Sequence, residues 1–272
     1  MKKKIVLIGS GHLAAIIAGA YAEGKLPDYE LAAVMGMERE QTESVAAKAG
    51  CAAVYQLEDA LALKPDYIVE AASVGAVQAY LEPIISAGIN FVTLSIGVFA
   101  DEAFHAKAGQ LAAAHNVKIH LPSGAIGGYD VLRTITAMGE AERGSAKGET
   151  GGASMEFTMN KSRVNMGGTS LYEKCPAEGE PAVIFEGTAR EAIQLLPGHV
   201  NVAVAAALAT VGPDKMRVII NSDPNDPDDE MHSRIRADKA SAHLIIRSVP
   251  ADIAAWSVVA LLNNLASPIQ FA

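Results

Sequence analysis

The stretch KIVLIGSGHLAAIIAGA, residues 4–20, decides the fold of the N-terminal part of the chain. An apolar run at residues 5–8 leads into the pattern Gly-x-Gly-x-x-Ala, which opens a helical pattern. Gly9 permits the tight turn, Gly11 lets a pyrophosphate approach the backbone, and Ala14 allows close packing of helix on strand. The helix N-terminus adds oriented N–H donors for phosphate oxygens. The residues predicted to contact a dinucleotide cofactor here are Gly9, Gly11, His12 and Leu13.

The same alternation of apolar runs and helical patterns continues to about residue 122. Runs that are apolar throughout are typical of parallel strands covered on both faces. Pro83 falls inside one helical pattern and predicts a local weakening of that helix. Residues 1–122 are therefore predicted to form a Rossmann domain of the α/β class, with a doubly wound parallel sheet.

After residue 122 the pattern changes. Residues 152–160 alternate strictly between apolar and polar side chains, which predicts a strand with one wet face. Two later runs, joined by a short turn at residues 238–241, predict a hairpin. We expect residues 123–249 to form an α+β catalytic and dimerisation domain with a mainly antiparallel sheet. Residues 250–272 are expected to form a helix that packs back on the first domain.

Composition excludes several classes of protein. Half of the 272 residues are apolar, so the chain can bury a core, and the formal net charge of −9 argues against a nucleic-acid partner. No apolar run reaches the roughly 18 to 20 residues needed to span a membrane. Two cysteines give no disulfide framework or metal spacing, and the Asp-rich residues 222–231 lack the calcium-loop pattern. We expect a cytoplasmic protein without a metal.

The choice between NAD and NADP is left open by the second strand. An NAD site usually has Asp or Glu at the end of that strand, where the carboxylate binds the ribose. Gly36 and Met37 stand at about that point. Glu38 would bind the ribose only in a shifted register, whereas Arg39 would suit the 2′-phosphate of NADP. Either cofactor is therefore compatible with the sequence.

Segments spread over most of the chain resemble one known family. They are IGSGHLA, IVEAAS, FVTLSIGVFAD, PSGAIGGYD, IFEGTAREAI and PGHVNVAVAAALA, followed by an Asp-Pro pair and then a His. In this order they resemble the L-aspartate dehydrogenases, with the SGAIGG and HVNVA runs the most specific. The resemblance implies a Rossmann domain and an α/β catalytic domain, commonly as a homodimer.

The resemblance also implies an activity and three residue roles. Family members oxidatively deaminate L-aspartate to iminosuccinate with NAD or NADP, and the imine can feed NAD biosynthesis. By the match of motifs, Ala125 and Asn201 would contact the cofactor and His232 would be the catalytic acid/base. Imidazole suits proton transfer near neutral pH. His199 is a rival for this role because it lies close to Asn201 in the sequence.

Charged side chains around His232 fit a small dicarboxylate substrate. Along a β-strand the side chains alternate between the two faces of the sheet, so side chains two residues apart share a face. Arginine binds carboxylates through a planar fork of donors. The residues expected to share faces in this way are His232, Arg234 and Arg236 on one strand, and His243 and Arg247 on the next.

The chain departs from the family pattern in its C-terminal half. The family usually carries Asn two residues before the catalytic His and Glu directly after it, whereas this chain has Glu230 and Ser233. PADIAAWS stands where family members tend to show an NPKTS-like run. These departures leave two alternatives open: a related amino-acid dehydrogenase or imine reductase with another substrate, and a catalytically silent NAD(P)-binding protein.

The second glycine-rich run, LPSGAIGGYD at residues 121–130, is not predicted to be another phosphate site. It lacks the Lys and Ser or Thr of a P-loop. Its glycines instead suit a backbone that turns and passes close to a ligand. We therefore expect this run to form a wall of the reaction centre.

Overall fold

The computed structural model describes residues 2–145, 152–226, 229–248 and 252–271. The chain divides into two compact units. The first unit comprises Met1–Gly124 and Asp252–Ala272, and the second comprises Ala125–Ala251. The predicted boundary between residues 249 and 250 lies outside the described residues.

The first unit contains a six-stranded parallel sheet. Its strands are β1 Lys3–Ile8, β2 Tyr29–Met35, β3 Ala52–Val54, β4 Tyr67–Glu70, β5 Asn90–Thr93 and β6 Ile119–His120. They lie in the order β3-β2-β1-β4-β5-β6, and every pairing is parallel. This order places the switch between the two halves of the sheet at β1 and β4. The predicted doubly wound Rossmann sheet is confirmed.

Five helices of this unit connect the strands. They are α1 His12–Ala22, α2 Arg39–Ala49, α3 Leu57–Ala62, α4 Val74–Ser86 and α5 Glu102–Ala114. Pro83 lies inside α4, which nevertheless runs on to Ser86. The reason is its position in the last turn, where buried Ile84 and Ile85 anchor the helix in the core.

The second unit contains a five-stranded mixed sheet. Its helices are α6 Tyr129–Ser145, α7 Ala189–Leu195 and α8 Asn201–Leu208. Its strands are β7 Ser154–Lys161, β8 Ala182–Thr188, β9 Arg217–Ser222, β10 Asp229–Arg236 and β11 Ser241–Ser248. The order is β11-β10-β7-β9-β8, and only the β7–β9 pairing is parallel among those described. The prediction of a second, mainly antiparallel sheet is confirmed.

The two faces of this second sheet differ in chemistry. Met155, Phe157 and Met159 of β7 are buried on one face, where α6 contacts β10 and β11 and α8 contacts β7. The alternating side chains of the same strand, Glu156 and Thr158, lie on the opposite face with the polar residues of β10. One face therefore holds the core of the unit, and the other is available for polar chemistry.

The second glycine run is shaped by its own packing. Gly127 and Gly128 both have a φ of +59°, in the left-handed region that favours glycine. A Cβ added to Gly128 would also overlap the side chain of Leu244 on β11. The run thus needs glycine for the backbone conformation of the turn at these two positions.

The C-terminal helix belongs to the first unit. Helix α9, Ile253–Ala266, contacts α1 and buries Ala255, Val258 and Leu262 completely. The Tyr29 hydroxyl donates a hydrogen bond of 2.7 Å to the Leu262 carbonyl. None of the described helices is long and apolar enough to cross a membrane.

We expect Phe157→Ala to lower the free energy of unfolding by about 3 to 5 kcal/mol, because it leaves a cavity in a core where Phe157 is 0% exposed. Urea denaturation followed by circular dichroism measures this change. Val183→Ala is the control on the same sheet. Its side chain is 61% exposed, so a change within about 0.5 kcal/mol is expected. Equal effects of the two substitutions would contradict the burial of this face.

Candidate active site

The loop between β1 and α1 has the geometry of a phosphate site. Gly9 has a φ of +124°, and a Cβ at this position would overlap the backbone of Ala71. Gly11 is the N-cap of α1, and no side chain within the described residues caps the helix there. The first turn of α1 carries no acidic residue. Its free N–H donors therefore suit a pyrophosphate, and the site fits a dinucleotide.

His12 and Leu13 begin α1, next to this loop. Nε2 of His12 lies 2.6 Å from Oδ1 of Asp252, the N-cap residue of α9. The His12 side chain is 66% exposed, so it remains accessible to a ligand. The contact orients the imidazole from within the first unit.

A buried carboxylate orders the carboxyl edge of the parallel sheet. Glu70, which is 1% exposed, accepts hydrogen bonds from the Ala72 and Ser95 backbone N–H groups at 2.7 and 3.2 Å. The hydroxyls of Thr93 and Ser95 donate to it at 2.5 and 2.8 Å. A buried carboxyl group is tolerated when its oxygens are satisfied by hydrogen bonds in this way. Glu70 thereby joins the segments that follow β4 and β5, at the edge where open α/β sheets bind ligands.

The end of β2 carries the residues that bear on cofactor choice. Strand β2 ends at Met35, and Glu38 is the N-cap of α2. The Arg39 guanidinium lies 4.5 Å from the centroid of the Tyr55 ring and 3.5 Å from the Glu43 carboxylate. Its side chain is 72% exposed, which leaves it accessible to an anionic ligand.

In the second unit, strand register brings His232 into a polar cluster. His232 pairs with Thr158 on β7 and with Ile245 on β11, while Arg234 pairs with His243. Glu230 pairs with Arg247 in the same ladder. Because pairing residues point to the same face, these side chains converge on the polar face of the sheet.

Both ring nitrogens of His232 have partners. Nε2 lies 2.5 Å from Oε1 of Glu230, and Nδ1 lies 3.0 Å from Nε2 of His243. Nη2 of Arg234 is 3.4 Å from the same Nδ1. Glu230 accepts a further hydrogen bond of 3.1 Å from Nε of Arg247. His232 is thus the centre of a connected network.

The network changes the protonation of its members. The hydrogen bond from His232, followed by Arg247, lowers the pKa of Glu230 and keeps it ionised. Desolvation, followed by the charges of Arg234 and His232, lowers the pKa of His243. At neutral pH the cluster therefore contains a carboxylate and a neutral imidazole.

A cavity of about 660 Å³ opens beside this cluster. Its charged or titratable lining residues are Lys215, Arg217, Arg234, Arg236, His243 and one carboxylate, Glu156. Arg217 pairs with Glu156 at 2.5 Å and with Glu186 at 2.8 Å. In the part of the chain that is described, Lys215 and Arg236 have no carboxylate partner. The cavity is suited to anionic groups.

The remaining predicted site residues also lie in the second unit. Ala125 is buried in the turn that begins at Gly124 and is 2% exposed. Asn201 begins α8, and its amide donates to the Gly198 carbonyl at 3.4 Å. His199 is exposed just before α8.

The role of Glu230 was missed by the sequence reasoning. Glu230 stands out in the sequence only as a departure from the family pattern. The available signal was its position two residues before His232, which puts both side chains on one face of a strand.

Two family models match the chain. Residues 145–265 match the model described as aspartate dehydrogenase, C-terminal. Residues 7–122 match the model described as homoserine dehydrogenase, NAD binding domain. Together they include the phosphate loop and the His232 cluster.

Curated relatives and solved structures agree with these models. The L-aspartate dehydrogenase of Methanocaldococcus jannaschii is 27% identical, with 98% of each chain covered. L-aspartate dehydrogenase 2 of Bordetella pertussis is 29% identical over 92% of this chain and 90% of that protein. The fold is similar to that of aspartate dehydrogenase from Thermotoga maritima, with a TM-score of 0.73, 23% identity and full coverage of both chains. The protein is an oxidoreductase that uses NAD or NADP, and over nearly its whole length it is similar to the L-aspartate dehydrogenase family.

Proposed function

We propose that this protein oxidises L-aspartate to iminosuccinate, which hydrolyses to oxaloacetate and ammonia, or that it catalyses the reverse reductive reaction. The observation that carries the proposal is the His232 cluster, which lies within the region matched by the aspartate dehydrogenase C-terminal model. The names of the curated relatives support the same substrate.

The cofactor contacts in this proposal are those that the phosphate-loop pattern and the motif resemblance predict. Gly9, Gly11, His12 and Leu13 bind the pyrophosphate, as the uncapped N-terminus of α1 supports. Ala125 and Asn201 contact the cofactor as well, a role supported by the motif resemblance of their segments. Residues 1–122 then serve cofactor binding, while residues 123–249 serve catalysis and the contacts of a homodimer.

The chemistry requires a hydride acceptor and a proton acceptor. When bound, the nicotinamide accepts the hydride from the substrate α-carbon. His232 takes the proton released as the amine becomes an imine, and it returns a proton in the reverse direction. Arg234, which lies 3.4 Å from His232, is placed to attract a substrate carboxylate. The cations that line the cavity support an anionic substrate.

A second candidate function is a dehydrogenase or imine reductase of the same family with a different substrate. The observation that favours it is the ionised Glu230 beside His232, where the family pattern has a neutral Asn. An added negative charge close to the reacting centre would disfavour a dianionic substrate. Ser233 bears less on this choice because it is 2% exposed and points away from the cluster.

Assays with a panel of amino acids distinguish the two candidates. The assay follows the absorbance of the reduced cofactor with a panel of amino acids and 2-hydroxy acids. We expect L-aspartate to give the highest kcat/KM in this panel. A different amino acid with a kcat/KM at least about tenfold higher would favour the second candidate. Cofactor binding without turnover of any substrate would contradict both and favour a silent NAD(P)-binding protein.

We expect His232→Ala to lower kcat by about 100-fold or more, because the variant lacks the acid/base group. The affinity for reduced cofactor, measured by fluorescence titration, should stay within about twofold. His115→Ala is the matched control, since this histidine is exposed at the end of α5 in the first unit. A His232→Ala variant with full kcat would rule out the proposed role of this residue.

We expect Arg39→Ala to raise KM for NADP by about tenfold while changing KM for NAD little. The reason is that the exposed guanidinium after β2 is available to a 2′-phosphate, which NAD lacks. Initial rates with each cofactor at saturating substrate measure the effect. Equal changes in KM for NAD and NADP would show that Arg39 does not recognise the 2′-phosphate.

A further inference from the structure

We propose that Glu230, His232 and His243 act as one hydrogen-bonded acid/base unit. In this unit His243 is the outer member that exchanges the proton with the substrate, and Glu230 is a positioning residue that acts through His232. The inference deepens the proposed function and rests on it, because it assigns the proton transfer of that reaction to a chain of three side chains.

The direction of the hydrogen bonds follows from the ionised state of Glu230. An ionised carboxylate only accepts hydrogen bonds, so Nε2 of His232, 2.5 Å away, must carry a hydrogen. The unit takes up a proton only from the state in which His232 is neutral, and in that state its other nitrogen, Nδ1, has the lone pair. The Nε2 atom of neutral His243, 3.0 Å from that Nδ1, therefore donates to it. This leaves Nδ1 of His243 as the unprotonated nitrogen of the pair.

The exposure of the side chains also indicates that His243 is the outer member of the unit. The side chains of His232 and Glu230 are only 15% and 17% exposed. His243 is an exposed residue and lines the 660 Å³ cavity, whereas His232 is not among the lining residues. The rings of the two histidines are 5.2 Å apart at an angle of 32°, so His243 covers the Nδ1 side of His232. A ligand in the cavity therefore meets His243 first.

Proton uptake through this unit conserves protons and charge and needs no further reagent. A proton from the substrate ammonium group binds Nδ1 of His243, and the proton on Nε2 of His243 passes to Nδ1 of His232. His232 becomes an imidazolium whose Nε2–H still donates to Glu230. One proton has entered, one positive charge has moved inward, and the adjacent carboxylate stabilises it. The reverse sequence delivers a proton during reduction.

Charged groups from three strands surround the unit. Arg247 on β11 donates to Glu230 and holds its carboxylate, and Asn160 on β7 lies 3.5 Å from the same group. Arg234 on β10 lies beside both histidines and is 3.4 Å from Glu156 on β7. The positive charge of Arg234 favours neutral His243 in the resting protein. Glu230 lies on the inner side of His232, away from the cavity, where it accepts the Nε2–H hydrogen bond.

Removal of the outer histidine tests the path. We expect His243→Ala to lower kcat by about 100-fold and external imidazole to restore at least about tenfold of this loss, because the cavity beside the truncated side chain can admit a small base. Imidazole should not stimulate His115→Ala, the matched control. His243→Ala with wild-type kcat would overturn the inference, and so would a loss of kcat that imidazole does not restore.

Substitution of Glu230 tests the positioning role. The amide oxygen of Gln still accepts a hydrogen bond, so Glu230→Gln removes the charge and keeps the contact. We expect the acidic limb of the pH profile of kcat/KM to move to lower pH by about one unit. The reason is that a carboxylate no longer stabilises the protonated form of the unit, which then forms only at lower pH. Glu230→Asp should return the limb toward the wild-type position. A limb that does not move in Glu230→Gln, with unchanged kcat, would refute the role.

Failure of the inference and failure of the proposed function give different results. If His232→Ala is slow but His243→Ala is not, His232 acts directly and only the inference fails. If the wild type does not oxidise L-aspartate, the proposed function fails, and NMR of the ligand-free protein then decides the inference. Protonated His232 places a positive charge beside His243 and lowers its pKa, so we expect the pKa of His243 to rise in His232→Gln, which cannot carry that charge. An unchanged His243 titration would show that the two rings are not coupled.

Discussion

The chemistry of the second unit depends on a sheet whose two faces differ: in the described residues one face is apolar and packs against helices, and the other is polar. Along each strand the side chains alternate, so Phe157 enters the core while its neighbour Thr158 joins the polar face. The same period places His232 and Arg234 together, opposite the helices. A shift of one residue in register would bury these charges and expose the core. The core thus holds the polar cluster in place.

In the first unit the corresponding constraint is steric. Gly9 lies so close to the Ala71 backbone that a side chain cannot be accommodated. This contact exists because β1 and β4 are neighbours at the switch of the sheet. Buried Glu70 then ties the ends of β4 and β5 together at the same edge. Backbone donors of α1 and an ordered sheet edge are therefore available to the cofactor.

Much of the fold could be predicted because its signals are local. The Gly-x-Gly-x-x-Ala pattern between a strand and a helix specifies its own geometry, and strict alternation at residues 152–160 specifies a half-covered strand. Pro83 shows the limit of such reasoning. Its local effect on α4 is outweighed by Ile84 and Ile85, whose burial is a property of the whole unit.

The sequence by itself determined the class of both sheets and the phosphate loop, because each depends on residues close together in the chain. The candidacy of His232 came instead from the resemblance of motifs that are spread over most of the chain. Only the tertiary structure decided which side chains His232 contacts. His243 lies 11 residues away and reaches Nδ1 through the register of the hairpin, and Arg247 reaches Glu230 in the same way. Register is set by packing across the entire sheet. The protonation of the site is consequently a tertiary property, although every residue involved can be seen in the sequence.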